Sequence, residues 1–351
     1  AVAQRQFQSA DYFLERQIVR ALIALVCFVV FINIDYHVWG KLSAVGFVVS
    51  VVLLLAVLAL PAGHAVNGAK RWITFGSVRF QVSEFARMAM VMVIAARCDR
   101  IGEGIREWGG ILPSIAKIVA VAVLIFLEPD FSTAVIVTVV GFTLLFVAGA
   151  RFRHMSAVVL GALPFFAIGL LRTPYRRRRL LSFMDSSEHA QGVGYQISQS
   201  LIGLGNGGTF GVGLGQGSQK YFYLPEPHTD FAFSILGEEI GFVGLVLVMA
   251  VFVFIVYRGI RIALEAPDRL GQLIAFGLTF TLAIYVVMHA SVNVGLVPTT
   301  GVPLPFLSYG GMSLILTMSA VGILLNISSR TSRVSNATVR KQRERLSRYR
   351  P

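Results

Sequence analysis

Charge is what this sequence lacks most: Asp, Glu, Lys and Arg make up 14% of its 351 residues, while 55% are hydrophobic. With a mean hydropathy of +0.71, it has too little polar surface to clothe an ordinary water-soluble core. Cysteine is scarce as well. Cys27 and Cys98, the only two, fall in or at the end of apolar segments without CxxC spacing or neighbouring histidines, so neither a disulfide framework nor a zinc site is supported. The apolar-polar alternation of transmembrane β-barrel strands is missing. There is no P-loop and no DxD sequence, which removes support for a nucleotide-driven pump or a nucleotide-sugar transferase. Gly203, Gly205 and Gly208 satisfy GxGxxG only formally, because no strand precedes them and no βαβ unit surrounds them. Ala1 to Gln17 is polar and runs directly into a full-length apolar stretch, so no cleavable signal peptide is expected.

What is present is a series of long apolar runs. A bilayer core of roughly 30 Å takes about 20 apolar residues per helix. Runs of that order lie near residues 18–36, 42–61, 82–98, 111–127, 131–150, 155–171, 231–257, 270–295 and 304–327. The expected fold class is an all-α polytopic membrane protein with nine transmembrane helices, forming one membrane domain over residues 1–351. The net charge of +13 sits mostly in loops beside these runs, which points to membrane lipids and orientation rather than to nucleic acid. Eight Lys or Arg between Arg330 and Arg350, against Glu344, mark 328–351 as a basic cytoplasmic tail. With that tail and the loop Arg258 to Arg269 inside, Arg151 to His154 is inside too. Ala65 to Phe80, Glu128 to Asp130, Arg172 to Asp230 and Pro298 to Pro303 then fall outside, together with the N-terminus. An outside N-terminus without a preceding helix is unusual, so either one short span is hidden or the sequence begins after a first helix.

The outer segments hold the residues with chemistry to offer. The loop 172–230 carries Arg176 to Arg179, then eight glycines from Gly203 to Gly217, then Tyr223 to Phe231 reading YLPEPHTDF. Loops of that length are usually functional or disordered; its aromatics and glycines favour order, with short helices on the membrane surface. Asp230 stands where an apolar span begins, a position that suits a general base reachable by a membrane-bound substrate. Thr229 or Asp230 equally suits the N-cap of the next helix. Arg176, Arg178 and Arg179 belong to a basic run on the side that the positive-inside rule disfavours. They suit a pyrophosphate-bearing lipid or, more simply, ordinary headgroups. Glu84 and Arg87, at i and i+3 in an apolar span, share a helix face and are able to pair, as functional groups or as a structural ion pair. Glu128 and Asp130 flank Pro129 at an outer helix break where a cavity is possible. Glu238 and Glu239 read as structural, one of them hydrogen-bonding a neighbouring helix.

The stretch Gly215 to Gly241, GQGSQKYFYLPEPHTDFAFSILGEEIG, resembles the SEDS family of peptidoglycan polymerases, the FtsW-like branch first and the RodA-like branch next. Further matches are Lys70-Arg71-Trp72-Ile73, Gln81-Val82-Ser83-Glu84, Glu128-Pro129-Asp130, Gly194-Tyr195-Gln196 and Pro298 to Ser313 with its PLPFLSYGG, in family order along nearly the whole chain. The sequence departs from the family at Val82 for Pro, Arg87 for Lys, Ser132 for Gly and Met312 for Ser. Arg87 keeps the charge of lysine but not its geometry.

The resemblance implies ten helices with both ends inside, the matches here beginning in the second, which accounts for the odd count. It implies an inverting glycosyltransferase in the bacterial cytoplasmic membrane, serving division or elongation, that joins lipid II into β-1,4 glycan strands at the outer face. Asp230 matches the family's essential aspartate. Lys70, Arg71, Arg176, Arg178 and Arg179 are the cations for the leaving pyrophosphate, with Glu84, Arg87, His228 and Thr229 completing the substrate site. No dedicated metal cage is evident, although a divalent cation, Mg2+ or Mn2+, suits a pyrophosphate leaving group. The implied partners are lipid II, the growing glycan strand and a class B penicillin-binding transpeptidase. Two other readings fit the same cavity and charges: a lipid II flippase or transporter, and a non-catalytic scaffold of a cell-wall complex.

Overall fold

The computed structural model describes residues 12–60, 71–75, 78–161, 193–219 and 229–347. Helices α1 (Tyr12–Asn33) and α2 (Tyr36–Ala59) are followed by an antiparallel hairpin, β1 (Trp72–Phe75) and β2 (Val78–Gln81). Its register pairs Trp72 with Gln81 and Phe75 with Val78. The hairpin leads directly into α3 (Val82–Ile101), whose N-cap is Gln81. A short 3-10 turn, Gly102–Arg106, connects to α4 (Trp108–Leu127) and α5 (Phe131–Val147), and residues 152–161 are again helical. Then come α6 (Val193–Gly207), α7 (Ala232–Glu265), α8 (Arg269–Asn293) and α9 (Gly311–Ser347).

Among the described residues, five helices are long and apolar enough to cross a bilayer: α2, α4, α7, α8 and the Gly311–Thr331 part of α9. With α5 as a shorter apolar helix, they make the chain a multi-pass membrane protein. Burial separates centre from rim. Of the spanning windows, that of α8 is 61% buried and those of α7 and α2 are 17% and 22%. Fourteen of the residues of α3 are buried, so α3 and α8 form the core while α2 and α7 turn apolar side chains to lipid. Lipid supplies no hydrophobic drive for helix association, so close backbone approach matters instead. A side chain's first carbon at Gly277 would meet Val91 at 2.6 Å, at Gly141 would meet Ile118 at 2.8 Å and at Gly259 would meet Thr279 at 2.2 Å.

The structure moves several expected boundaries. The last apolar run begins at 304 by composition, but 301–310 is loop and α9 starts at Gly311. Pro303 and Pro305 lack donors for a helix, and the loop takes its bonds from Ser308 instead, which accepts from Leu304 N at 2.8 Å. The basic stretch expected as the loop Arg258 to Arg269 is mostly helix, since α7 continues to Glu265. A hairpin occupies the end of the segment Ala65 to Phe80, for which the sequence suggested no element. The run 155–171 is described only to 161.

At the end of the bundle away from the loop 301–310, three helix ends are fastened together. Asp35 caps α2 through His37 N, and Asp268 caps α8 through Gly271 N at 2.7 Å. The His37 ring bridges both carboxylates, Nδ1 at 2.7 Å from Asp35 and Nε2 at 2.8 Å from Asp268. Tyr36 OH donates to Asp268 at 2.6 Å, Arg330 of α9 pairs with Asp35 at 2.8 Å, and Asn326 Oδ1 accepts from Tyr36 N. Asp268→Ala removes a cap and two side-chain acceptor contacts at once. It is expected to destabilise the fold by about 1–3 kcal/mol, read as a lowered melting temperature in detergent, with Asp268→Asn falling between it and wild type. An unchanged melting temperature for the alanine variant would contradict this reading of the corner.

Candidate active site

The site grows from the start of α7. Its N-cap position is Phe231, which offers no side-chain bond to the helix. Two of the amides that every helix leaves without an internal partner are met instead from α8: Ser234 N donates to Asn293 Oδ1 at 3.0 Å and Phe233 N to His289 Nε2 at 3.4 Å. Asn293 Nδ2 also donates to the Asp230 carbonyl at 3.2 Å. One amide side chain thus caps α7 and fixes the residue before it. Ser200 of α6 ties in by donating to Asn293 O at 2.8 Å, and Ser234 Oγ donates back to Ser200 O at 2.6 Å.

The loop 301–310 closes over this point. Ser308 Oγ donates to Thr229 O at 2.7 Å, and His289 Nδ1 lies 2.8 Å from Val302 O. Gly301, at φ +69, presents a bare Cα to the carboxylate: a first side-chain carbon there would stand 3.5 Å from Asp230 Oδ2. Phe306 takes φ +66 in the same loop, a conformation bulky residues adopt only where the surroundings impose it. Asp230 and Thr229 are half-buried.

The glycine-rich segment after α6 serves the break in α7. Gly241, at φ +70, interrupts the helix, and the backbone groups left over pair with the loop: the Glu238 carbonyl accepts from Val212 N at 3.0 Å, while Phe242 N donates to Gly208 O at 2.9 Å and Val243 N to Thr209 O at 3.1 Å. Non-helical backbone at membrane depth is tolerated when it is satisfied this way. Glycines make the approach possible, since a Cβ at Gly211 would meet Glu239 O at 2.2 Å. Glu238 accepts from Ser218 N, Ser218 Oγ and Gln219 N at 2.8–3.0 Å. Glu238, one of the two glutamates read as structural, is therefore held by this loop.

A second polar group lies deeper, under the same loop. Glu84 pairs with Arg87 at 2.6 Å, Tyr285 OH donates to Glu84 Oε1 at 2.6 Å, and the Arg87 guanidinium lies 4.3 Å from the Tyr285 ring centre. Arg87 and Tyr285 line a small cavity of about 30 Å³ with Thr281, Pro305 and Thr317. Beyond α4, Arg71 donates to the carbonyls of Glu128 and Pro129, and Asp130 caps α5 through Thr133 N at 3.3 Å. Both Glu128 carboxylate oxygens are buried and, among the described residues, neither has a hydrogen-bond partner. Burial, aided by the Asp130 carboxylate and opposed by Arg71, pushes the Glu128 carboxyl up to about 8.

Of the residues expected in the site, Asp230, Thr229, Arg71, Glu84 and Arg87 are described, while Lys70, Arg176, Arg178, Arg179 and His228 lie outside the described residues. Sequence reasoning passed over Tyr285, His289 and Asn293. The signal was available: with Thr281 they recur every fourth residue on one face of an apolar helix, a polar stripe that a bilayer tolerates only when it is matched.

A bundle of apolar helices with a polar stripe leading to one carboxylate defines a multi-pass membrane protein with a site at one end of the bundle. The chain belongs to the cell cycle protein family of FtsW, RodA and SpoVE, whose profile matches residues 1–333. It is 39% identical over 331 residues to the probable peptidoglycan glycosyltransferase FtsW of Geobacter metallireducens, covering 94% of this chain and 88% of that one. It is 40% identical over 327 residues to stage V sporulation protein E of Bacillus subtilis, covering 93% and 89%. Among solved structures, a chain from work on the structural coordination of polymerization and crosslinking by a peptidoglycan synthase complex superposes with a TM-score of 0.77 at 27% identity, covering 94% of this chain and 93% of that one. The rod shape determining protein RodA of Thermus thermophilus gives 0.65 at 26%, covering 90% and 87%.

Glu128 yields a prediction with a definite sign. An acid whose pKa is raised by folding leaves stability intact below its unfolded value, near 4.5, and lowers it as pH rises toward about 8. Glu128→Gln keeps the shape and stays neutral. It is expected to melt with wild type near pH 5 and to exceed it at pH 8 by on the order of 1–3 kcal/mol. A difference independent of pH would show that the carboxyl is not held neutral.

Proposed function

We propose that this chain is a peptidoglycan glycosyltransferase that polymerises lipid II into β-1,4 glycan strands, with Asp230 as general base. Glycosyl transfer follows from the family and from relatives named for that activity; a transporter or a scaffold, both open from sequence, is not what they are named for. The observation that carries the assignment to Asp230 is its mounting. Asn293 and His289 supply capping bonds to two amides at the start of α7, Asn293 also holds the Asp230 carbonyl, and the carboxylate lies beside the bare backbone of Gly301.

In this mechanism Asp230 takes the proton from the 4-hydroxyl of the acceptor GlcNAc. The oxygen forms a bond to the anomeric carbon of the donor MurNAc from the face opposite the pyrophosphate, and the bond from that carbon to the pyrophosphate oxygen breaks. Inversion results, and the proton on Asp230 passes to solvent. The charge already on the leaving pyrophosphate calls for cations. Arg71 is fixed at the Glu128 corner, and Lys70, Arg176, Arg178 and Arg179 are the further candidates in sequence. Glu84 and Arg87 shape the cavity beneath the loop. Among the described residues no group of three or more His, Cys, Asp or Glu side chains is placed to hold a metal ion.

The proposal extends to placement. The Asp230 end faces outward in a bacterial cytoplasmic membrane, the Asp35 end and the basic tail face inward, ten spans belong to the whole fold, and a class B penicillin-binding transpeptidase is the partner. The relative placement of these ends follows from chain direction, since α7 and α8 run antiparallel between Asp230 and Asp268.

Asp230→Asn keeps size and polarity but cannot accept a proton. The expected result is a protein of wild-type melting behaviour whose lipid II polymerisation falls roughly 100-fold or more, while Thr229→Ala stays near wild type. A near-normal rate for Asp230→Asn would overturn the mechanism.

A further inference from the structure

Arg20 is a charge near the start of the apolar run of α1 that the site described so far does not use. Charged side chains in apolar segments are costly unless something compensates, and they are functional suspects for that reason. Among the described residues its guanidinium has no carboxylate and no hydrogen-bond acceptor. Its contact is an aromatic face: Cζ lies 4.5 Å from the Tyr309 ring centre. The seat is shaped for it, because a first side-chain carbon at Gly311 would meet Arg20 Cδ and Nε at 2.9 Å. A side chain at that position would push the Arg20 side chain aside.

The loop that holds Arg20 also holds the catalytic carboxylate. Gly301 lies against Asp230, Ser308 donates to the Thr229 carbonyl at 2.7 Å, and Tyr309 follows directly. Arg20 therefore stands at the same end of the bundle as Asp230, across one ten-residue loop. A guanidinium stacked on a ring keeps its N–H edge for a planar or tetrahedral oxyanion, which it binds with paired charge-assisted hydrogen bonds. Its half-buried place in a bundle of apolar helices favours an anion that arrives on a lipid.

We infer that Arg20, seated on Tyr309 and Gly311, binds the phosphate oxygens of a lipid at the mouth of the Asp230 site, and that the lipid is the pyrophosphate-linked substrate. The identity of the lipid rests on the proposed glycosyl transfer; the phosphate chemistry does not. Arg20 acts in binding rather than in the chemical step, because the pyrophosphate carries its charge before the bond breaks. Its loss belongs in KM.

The test uses the full chain in zwitterionic nanodiscs, with polyprenyl pyrophosphate and phosphatidylglycerol as separate probes, each titrated for retention. Arg20→Gln, Arg20→Lys and Gly311→Ala are compared with wild type for binding and for lipid II polymerisation. Arg20→Gln is expected to weaken polyprenyl pyrophosphate and raise KM about tenfold, as expected for one lost charge-assisted contact, with kcat within about twofold. Arg20→Lys should recover part of the loss, and Gly311→Ala, which displaces the guanidinium but keeps its charge, should reproduce part of it. Unchanged retention and KM in Arg20→Gln would overturn the inference, as would equal loss of phosphatidylglycerol and pyrophosphate lipid, which marks a plain headgroup contact. If wild type bound the pyrophosphate lipid through Arg20 yet made no polymer, the proposed reaction would fail and the phosphate site would stand.

Discussion

Much of this structure depends on the side chain of Asn293. Helix α7 begins with amides at buried residues, Phe233 and Ser234 among them, and an unmet buried amide costs about 1–3 kcal/mol. Asn293 meets one, holds the Asp230 carbonyl with its other end, and is itself anchored through Ser200 and Ser234. The same amide that stabilises the helix start therefore sets where the carboxylate stands. Stability and site placement are one interaction here.

The polar stripe of α8 extends that logic inward. Thr281, Tyr285, His289 and Asn293 rise over about 18 Å at 1.5 Å per residue. In order they reach the Arg87 cavity, the Glu84–Arg87 pair, the loop 301–310 and Asp230. Helix α8 is the most buried of the spanning helices, and so these groups find partners in protein rather than lipid. The broken helix α7 obeys the same constraint, its lost bonds at Gly241 replaced by the backbone of 208–213.

How much of this was legible in sequence follows from which forces act locally. Apolar runs gave the membrane class, and i, i+3 spacing gave the Glu84–Arg87 pair, because both depend on neighbours along the chain. The start of α9 was misplaced by seven residues, at 304 instead of Gly311, because hydropathy does not register the prolines and the Ser308 bonds that keep 301–310 out of a helix. Glu238 and Glu239 read only as structural, because nothing local says that Ser218 and Gln219 fold back on Glu238. Asp230 was found as a candidate, but whether it capped its own helix depended on a side chain 63 residues further on. Periodicity shows that Asn293 is polar in an apolar helix, not which amide it meets.

The central claim is that Asn293 acts on catalysis only by placing Asp230. It is tested most directly by a double-mutant cycle on lipid II polymerisation, using Asp230→Asn, Asn293→Ala and the pair, each shown to be folded by its melting curve. The account predicts that Asn293→Ala lowers kcat strongly in wild type and adds almost nothing once Asp230→Asn is present, as for residues that work as a unit. Fully additive losses in kcat would contradict it.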